Sequence, residues 1–428
     1  MLKETVFCEQ YTNEDMSAPV ELISSTDFFK TKEVKFKSVV EFATMSEFII
    51  VATKGGKDGS ELKLDASLDA KTFADAKFPP KFTVDHQVAY TVLDSSTHSV
   101  FLHVTVNPRE HQEYGSIIKS NSNGTSYVMS INAVNRNTAG YVDFEKMLGI
   151  EGVALVNVVA NPDEVNGGAK KLKRTLITHN DGADWEALQV TGRDSDNKDY
   201  KCDTKKKEKC SLHLHGYTER DDPRETYSSP TAIGLMIGVG NVGEHLDTLG
   251  KGSTFITKDG GITWQEIKKG AYAWEFGDQG SIIVIVQRGN DVNHCYYSID
   301  SGETWKRHDF HSEKIRVYSI TTVPHDTSLN FIIWGDHKNI PIAINVDFSD
   351  MKEFEKECQL HDKNPTDEDY DLWTPQHPFL DDSKGCLFGH KAQYHRKKPG
   401  RLCKNPTNID TLHGIAENCT CTRRDFEW

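Results

Sequence analysis

The chain has 428 residues, more than one hydrophobic core usually organises, so its length implies several domains or one large repeat architecture with a smaller companion. Acidic residues outnumber Lys plus Arg by 64 to 50, a formal charge of -14, which excludes a phosphate backbone as the main partner because such binding is driven by basic patches. Apolar stretches such as "SIIVIV" (281–286) are strand-sized and far short of the roughly 20 residues that span a bilayer, so no transmembrane segment is expected.

The first stretch, "MLKETVFCEQYTNED", carries charges within its first four residues and lacks the apolar run of a secretory signal. Taken alone, that start implies a cytosolic protein. The nine cysteines, four of them between 386 and 421, imply instead the disulfide framework of an oxidising compartment. Strand patterns then follow in order: "SEFIIVAT" (46–53), "HSVFLHVTV" (98–106), "GVALVNVVA" (152–160), "TAIGLMIGV" (231–239), "SIIVIVQ" (281–287) and "LNFIIWG" (329–335). They are β-branched and bounded by Gly, Asn or Pro. Long helical periodicity is nearly absent before residue 345, so this part is expected to be all-β.

A repeat runs through the same region. "ITKDGGITWQEI" (256–267) returns as "YSIDSGETWKRH" (297–308), "ITHNDGADWEAL" (177–188) and "KSNSNGTSYVMS" (119–130), with weaker relatives at "SSTDFFKT" (24–31) and "ASLDAKTF" (66–73). The shared form is Ser/Thr-x-Asp-x-Gly-x-Thr-Trp, which places the Asp-equivalents at 27, 69, 122, 180, 259 and 300. Spacings of about forty to eighty residues suit β-propeller blades with loop insertions. The residue types have physical roles: Gly182, Gly261 and Gly302 can take the positive φ of a tight hairpin, while Asp259 and Asp300 can bond backbone N–H groups across it. Thr263 and Thr304 complete the motif. Trp185, Trp264 and Trp305 leave the turn where a large ring can wedge between neighbouring sheets. These Asp-box residues are expected to be structural.

The last eighty residues change character, from acidic "DFSDMKEFEKECQLHDKNPTDEDYDLW" to basic, cysteine-bearing "CLFGHKAQYHRKKPGRLCKNP". Too few apolar residues remain for a core, so disulfides must supply cohesion. The expected division is a partial β-propeller over 1–350 and a cysteine-rich module over 351–428.

Several local patterns invite functional readings. "GVGNVG" (238–243) matches G-x-G-x-x-G, but that fingerprint requires a helix and a second strand after it. Here the next hairpin copy follows almost at once, so a Gly-rich loop is expected. Cys202, Cys210, His213 and His215 invite a zinc reading with the wrong spacing; a short disulfide loop between Cys202 and Cys210 is preferred, and no metal or other cofactor is expected. No nucleophile–base signature appears. Sialidases use similar hairpins with a Tyr nucleophile and an arginine cluster, which makes them the enzymatic alternative. Asn123 in "NGT" and Asn418 in "NCT" are glycosylation sequons.

"CSLHLHGYTERDDPRETYSSPTAIGLMIGVGNVGEHL" (210–246), the two best hairpins, "CLFGHKAQYHRKKPGRLC" and "CTCTRRDFEW", with "DSSTHSV" (94–100), "SNSNGTSY" (120–127) and "GYVDFEK" (140–146), resemble the sortilin family, specifically its fungal-type vacuolar protein-sorting receptors. The resemblance covers nearly the whole chain. It implies about six blades of a ten-bladed propeller whose tunnel binds peptide or hydrolase cargo, followed by an incomplete cysteine-rich module. It implies a receptor and not an enzyme, working in the lumen of the Golgi and endosomal system, with full-length relatives anchored in the membrane and carrying cargo toward the vacuole. By position, Cys202 pairs with Cys210, Cys358 with Cys403, and Cys386 with Cys419. Cys8, Cys295 and Cys421 are left over; with the missing signal, this implies a receptor fragment, which is expected to aggregate or behave as a molten species when expressed alone. Lys63 in "ELKLDASLD" (61–69) stands where some relatives present a basic tunnel residue. Eighteen histidines offer groups that titrate in acidic compartments, so cargo binding is expected to weaken between about pH 7 and 5. A nonfunctional gene fragment is the further alternative.

Overall fold

A computed structural model describes residues 5–14, 16, 19–45, 47–55, 61–79, 90–96, 99–220, 226–360, 369–376, 378, 386–406 and 413–421. It forms two compact units, residues 1–142 with 162–170 and 428, and residues 143–161 with 171–427. The expected boundary near residue 350 lies inside the second unit.

In the first unit, Val6–Tyr11 (β1), Val20–Ser25 (β2), Glu33–Met45 (β3), Phe48–Gly55 (β4), Glu61–Ser67 (β5) and Ala74–Asp75 (β6) pair antiparallel in sequence order. Tyr90–Ser96 (β7), Ser99–Asn107 (β8), Tyr114–Ser120 (β9) and Tyr127–Asn135 (β10) do the same. The apolar run in β4 divides by side: Phe48, Ile50 and Ala52 join Leu64, Leu102 and Ile118 in one cluster, while Val51 joins Leu22 and Val39 in another. A period of two residues makes this division inevitable once both faces are covered.

The second unit continues with Phe144–Lys146 (β11), Ala154–Val159 (β12), a five-residue helix Pro162–Asn166 (α1) that belongs to the first unit, Lys173–Thr178 (β13) and Glu186–Ala187 (β14). Next come Ser211–Leu214 (β15), Met236–Gly243 (β16), Ser253–Thr257 (β17) and Gln265–Lys269 (β18) as one four-stranded sheet. Tyr272–Gly277 (β19), Ile282–Gln287 (β20), His294–Ser298 and Lys306–Asp309 form the next, with the short Asp291–Val292 strand (β21) between them in sequence. The last two of that sheet are β22 and β23. Strand β21 instead edges the sheet of Ile315–Thr321 (β24), Asn330–His337 (β25) and Ile340–Asp347 (β26).

These sheets stack because their central strands are apolar on both faces. Met236 and Phe255 reach the core shared with Leu155 and Ile177, while their neighbours Ile237 and Ile256 reach the opposite core with Ile283 and Ile285. In β20, Ile282, Val284 and Val286 enter a third core with Val317, Phe331 and Ile333. Consecutive residues thus serve different cores, as in propeller blades laid face to face. The fold class is all-β, and these antiparallel sheets are blades of a partial β-propeller. Among the described residues no helix is long and apolar enough to cross a membrane.

The C-terminal part forms a small sheet from Tyr370–Trp373 (β27), Cys386–Leu387 (β28), His390–Lys397 (β29) and His413–Asn418 (β30). Its own buried cluster is confined to Cys358, Tyr370 and Cys403 with Leu360 against them. Tyr394, Trp373 and Ala392 pack instead into the core beneath β12–β17, so the blades supply the apolar surface the module lacks.

Candidate functional site

The two best-matched hairpin motifs build the same hydrogen-bonded corner. Between β17 and β18, Thr257 Oγ1 donates to Asp259 Oδ1 at 2.8 Å and accepts from Gly261 N at 3.0 Å. Asp259 then accepts from Thr263 N at 2.9 Å and Thr263 Oγ1 at 2.6 Å, and Trp264 Nε1 donates to Gly261 O at 3.2 Å. Gly261 has φ +93°, a conformation that favours glycine, and a Cβ there would lie 2.3 Å from Ile177 Cδ1 and displace the tip of that side chain. Ser298, Asp300, Gly302, Thr304 and Trp305 repeat every bond between β22 and β23.

The diverged copies keep the geometry by exchanging chemistry. After β13, Asn180 takes the Asp place and its Nδ2 donates to Asp184 Oδ2 at 2.9 Å, while Trp185 Nε1 bonds Gly182 O at 3.1 Å. The polarity of that pair is reversed. After β2, Phe29 occupies the glycine place at φ +63°, and Asp27 still accepts from Thr31 N at 2.9 Å. Hydrogen bonds from Thr31 and Ser25 hold the Asp27 carboxyl down at about 2. In the 119–127 copy the acceptor is Asn121, bonded by Thr125 N at 2.9 Å and Ser126 N at 3.2 Å, which corrects the alignment that gave position 122. Trp264 is wholly buried, whereas Trp185 and Trp305 are half-buried.

The other sequence candidates fall as follows. Residues 238–243 are strand β16, not the loop expected; a Cβ at Gly240 would stand 1.8 Å from His213 O, so glycine permits close strand approach. Disulfides join Cys202 to Cys210, Cys358 to Cys403 and Cys386 to Cys419. His213 Nδ1 accepts from Thr175 N at 3.0 Å while its Nε2 faces Gly243 O at 3.1 Å, and burial pushes the ring down to about 4. It is a neutral structural histidine. Among the described residues no group of three or more His, Cys, Asp or Glu is placed to hold a metal. Cys8 and Cys421 are exposed thiols, and Cys295 is a buried one. Asn123 and Asn418 are exposed. Lys63, on β5, is paired with Asp75 and lies 3.5 Å from Asp65.

The most spacious cavity described, about 490 Å³, lies in the second unit where β19 and β24 run side by side. Trp274, Phe276, Ile320 and Val323 give it apolar walls, and Arg288, Glu275, His325 and Asp326 give it charge or polarity. One wall is the segment 226–230, held in place by several bonds. Trp274 Nε1 donates to Thr226 O at 3.2 Å, Tyr227 OH to His215 O at 2.6 Å, and Leu148 N to Ser228 Oγ at 2.8 Å. Ser229 Oγ is bonded to Thr231 Oγ1 at 3.1 Å, so the hydroxyls of Ser228 and Ser229 help to hold the wall. Below this wall Arg220 pairs with Glu145, which also accepts from Tyr227 N. An aromatic-lined cavity with a few placed polar groups suits non-covalent binding of side chains. Sequence reasoning missed it because its residues come from five separated stretches, Leu148, 226–230, 274–276, Arg288 and 319–326; the aromatic alternation in "AYAWEF" was the available signal.

One fastening of the module to the blades is a buried carboxylate. Asp278, in the turn after β19, accepts from Asn405 N at 3.0 Å on both oxygens, and Asn405 Nδ2 donates to Ser281 Oγ at 2.8 Å. Burial pushes Asp278 up to about 6, against the opposing pull of the Asn405 N–H and of Lys397. A carboxyl raised above its ordinary 3.8 holds a proton in the fold that it loses on unfolding, so its contribution to stability grows as pH falls from above 6 toward 4 and is constant below. Between pH 7 and pH 5 the thermal midpoint of the parent chain should therefore rise relative to that of Asp278→Asn, which cannot titrate. Midpoints that shift in parallel would remove Asp278 as the cause.

Two family models match the chain: one described as sortilin, neurotensin receptor 3, over residues 2–320, and its C-terminal counterpart over residues 322–428. Curated relatives include the vacuolar protein sorting/targeting protein 10 of Leptosphaeria maculans, 66% identical over 425 residues, and that of Coccidioides posadasii, 54% identical over 432. Both alignments cover 99% of this chain and 29% of the relative, so the chain spans about 29% of the length of these relatives. Among solved structures, the β-propeller domain of the Trilobed protease from Pyrococcus furiosus is similar at TM-score 0.30 and 8% identity, covering 80% of this chain and 91% of that one. An ancestral GH74 enzyme is similar at TM-score 0.34 and 10% identity, covering 73% and 37%.

Proposed function

Because the chain belongs to the sortilin Vps10 family, we propose that it is the luminal cargo-binding region of a vacuolar sorting receptor, taking peptide or hydrolase cargo from the Golgi toward endosomes and the vacuole. The supporting observation is the cavity beside Trp274: a large recess walled by Trp274 and Phe276 with a few polar groups, suited to gripping cargo side chains. The cysteine-rich part from 351 acts in this reading as a brace for the blades. Exposed Asn123 and Asn418 are its carbohydrate acceptors. Lys63 is a second cargo contact, one for which a cargo carboxylate competes with Asp65 and Asp75.

Surface plasmon resonance with an immobilised vacuolar-hydrolase propeptide tests the reading. Saturable binding to the oxidised chain is expected, weakened about tenfold or more by Trp274→Ala, as for a central aromatic anchor. Binding should also weaken from pH 7 to 5, the range in which histidine ordinarily gains its charge. The buried His103 and His213, pushed down to about 3 and about 4 by desolvation, take no part. Absence of saturable binding would refute the receptor reading, and equal affinity at the two pH values would refute its acid release.

A further inference from the structure

The cavity beside Trp274 carries the means to choose among cargo side chains. At about 490 Å³ it falls within the range of about 300 to 1,000 Å³ typical of ligand clefts, which gives room for several side chains of an extended segment. Trp274 and Phe276 are two residues apart on β19, so both rings stand on the same face of that strand. The Trp274 ring is fixed at one edge by its bond to Thr226 O.

Besides His325, the ionisable side chains lining the cavity are Glu275, Arg288 and Asp326. Glu275 and Arg288 each have partners of their own. Asp326 is half-buried and less well served. Thr231 Oγ1 donates to His325 O at 3.1 Å, so the single Ser229 hydroxyl proton is divided between Thr231 Oγ1, 3.1 Å away, and the Asp326 carboxylate. Burial raises the Asp326 carboxyl above its ordinary 3.8, and the Ser229 bond and nearby His325 only partly oppose that.

The turn that carries Asp326 holds a costly shape. His325 and Asp326 have φ of +67° and +51°, two successive left-handed residues neither of which is glycine. The bond from Asp326 N to Val323 O at 3.1 Å closes the turn, and the Thr231 bond to His325 O ties it to the opposite wall. Such backbone costs on the order of 1 to 3 kcal/mol per residue and persists where surrounding structure uses it to place a group. The group placed here is a desolvated carboxylate in an aromatic-walled cavity.

We propose that the cavity beside Trp274 selects cargo by a Lys or Arg side chain, whose stem lies against Trp274 and Phe276 and whose charge is received by Asp326. This rests on the reading of the cavity as the cargo site and adds the chemistry that the site prefers. A charge-assisted hydrogen bond to the cation offsets the desolvation of Asp326, and an indole attracts a cation within about 6 Å of its ring. The methylene stem of such a side chain covers apolar surface while its head keeps a polar partner. An acidic side chain would be repelled by Asp326.

The test uses pentapeptides of four alanines around a central lysine, norleucine or glutamate, acetylated and amidated so that only the central residue can be charged. They are titrated into the oxidised chain carrying nitrogen-15 in its tryptophans, and the Trp274 indole N–H, assigned by its loss in Trp274→Phe, reports occupancy. The lysine peptide should bind at least tenfold more tightly than the norleucine peptide, and the glutamate peptide more weakly than either. In Asp326→Asn the preference for lysine over norleucine should fall below twofold. Asp309→Asn, which alters an exposed acid outside the cavity, should keep it. Unchanged melting midpoints establish that both variants are folded, and the comparison of the three peptides on the parent chain needs no variant. Equal affinity for lysine and norleucine, tighter binding of glutamate, or an undiminished preference in Asp326→Asn would overturn the proposal and leave the cavity as the cargo site. An indole signal moved by none of the peptides would overturn the cargo-site reading of the cavity, and this proposal with it.

Discussion

Trp264→Ala is expected to destabilise the second unit by about 3–5 kcal/mol, read as a lowered urea midpoint at unchanged slope. The indole is wholly buried among Leu188, Val190, Leu212 and Phe255, and its Nε1–H closes the Asp-box turn on Gly261 O. Truncation removes a large apolar surface and leaves a cavity in a core bounded by two sheets, which cannot collapse without moving both. Trp305→Ala should cost clearly less, because that ring makes the same hydrogen bond but remains half-buried. The comparison separates packing from the turn bond. Equal losses at the two positions would mean that the hydrogen bond, not burial, carries the effect.

Glu145→Gln should cost about 3–5 kcal/mol, the range for removing one partner of a buried ion pair. The Glu145 and Arg220 side chains retain 11% and 7% exposure, so solvent screens little of a charge left stranded there. Burial opposes the Arg220 charge, but the Glu145 carboxylate outweighs it and holds the guanidinium above its ordinary value. Arg220 also lies 4.5 Å over the Tyr227 ring, and Tyr227 N donates to Glu145. The damage should therefore spread into the 226–230 wall and weaken cargo binding along with stability. Glu145→Leu/Arg220→Met should recover much of the stability, since no charge is then stranded. A single variant as stable as the parent would show that the pair contributes little.

The repeat was legible because each motif is self-contained. Thr257, Asp259, Gly261, Thr263 and Trp264 lie within eight positions and bond to one another, so the string of letters already contains the interaction. The 119–127 copy was misaligned by one residue for the converse reason. Either Asn121 or position 122 satisfies the spacing, and only backbone geometry decides which side chain faces Thr125 N. Likewise "GVGNVG" reads as a loop until β15 and β17 are seen pairing with it on both sides.

Local patterning therefore determined the all-β class, the hairpin corners and the division of strands such as "IIVIV" between two faces, because turn chemistry and a period of two act over a few residues. Tertiary structure alone decided the Trp274 cavity, the buried Glu145–Arg220 pair and the Asp278–Asn405 fastening. Their parts stand 75 to 127 residues apart in the charged and fastening pairs, and no short-range rule relates residues that meet only after whole sheets have stacked.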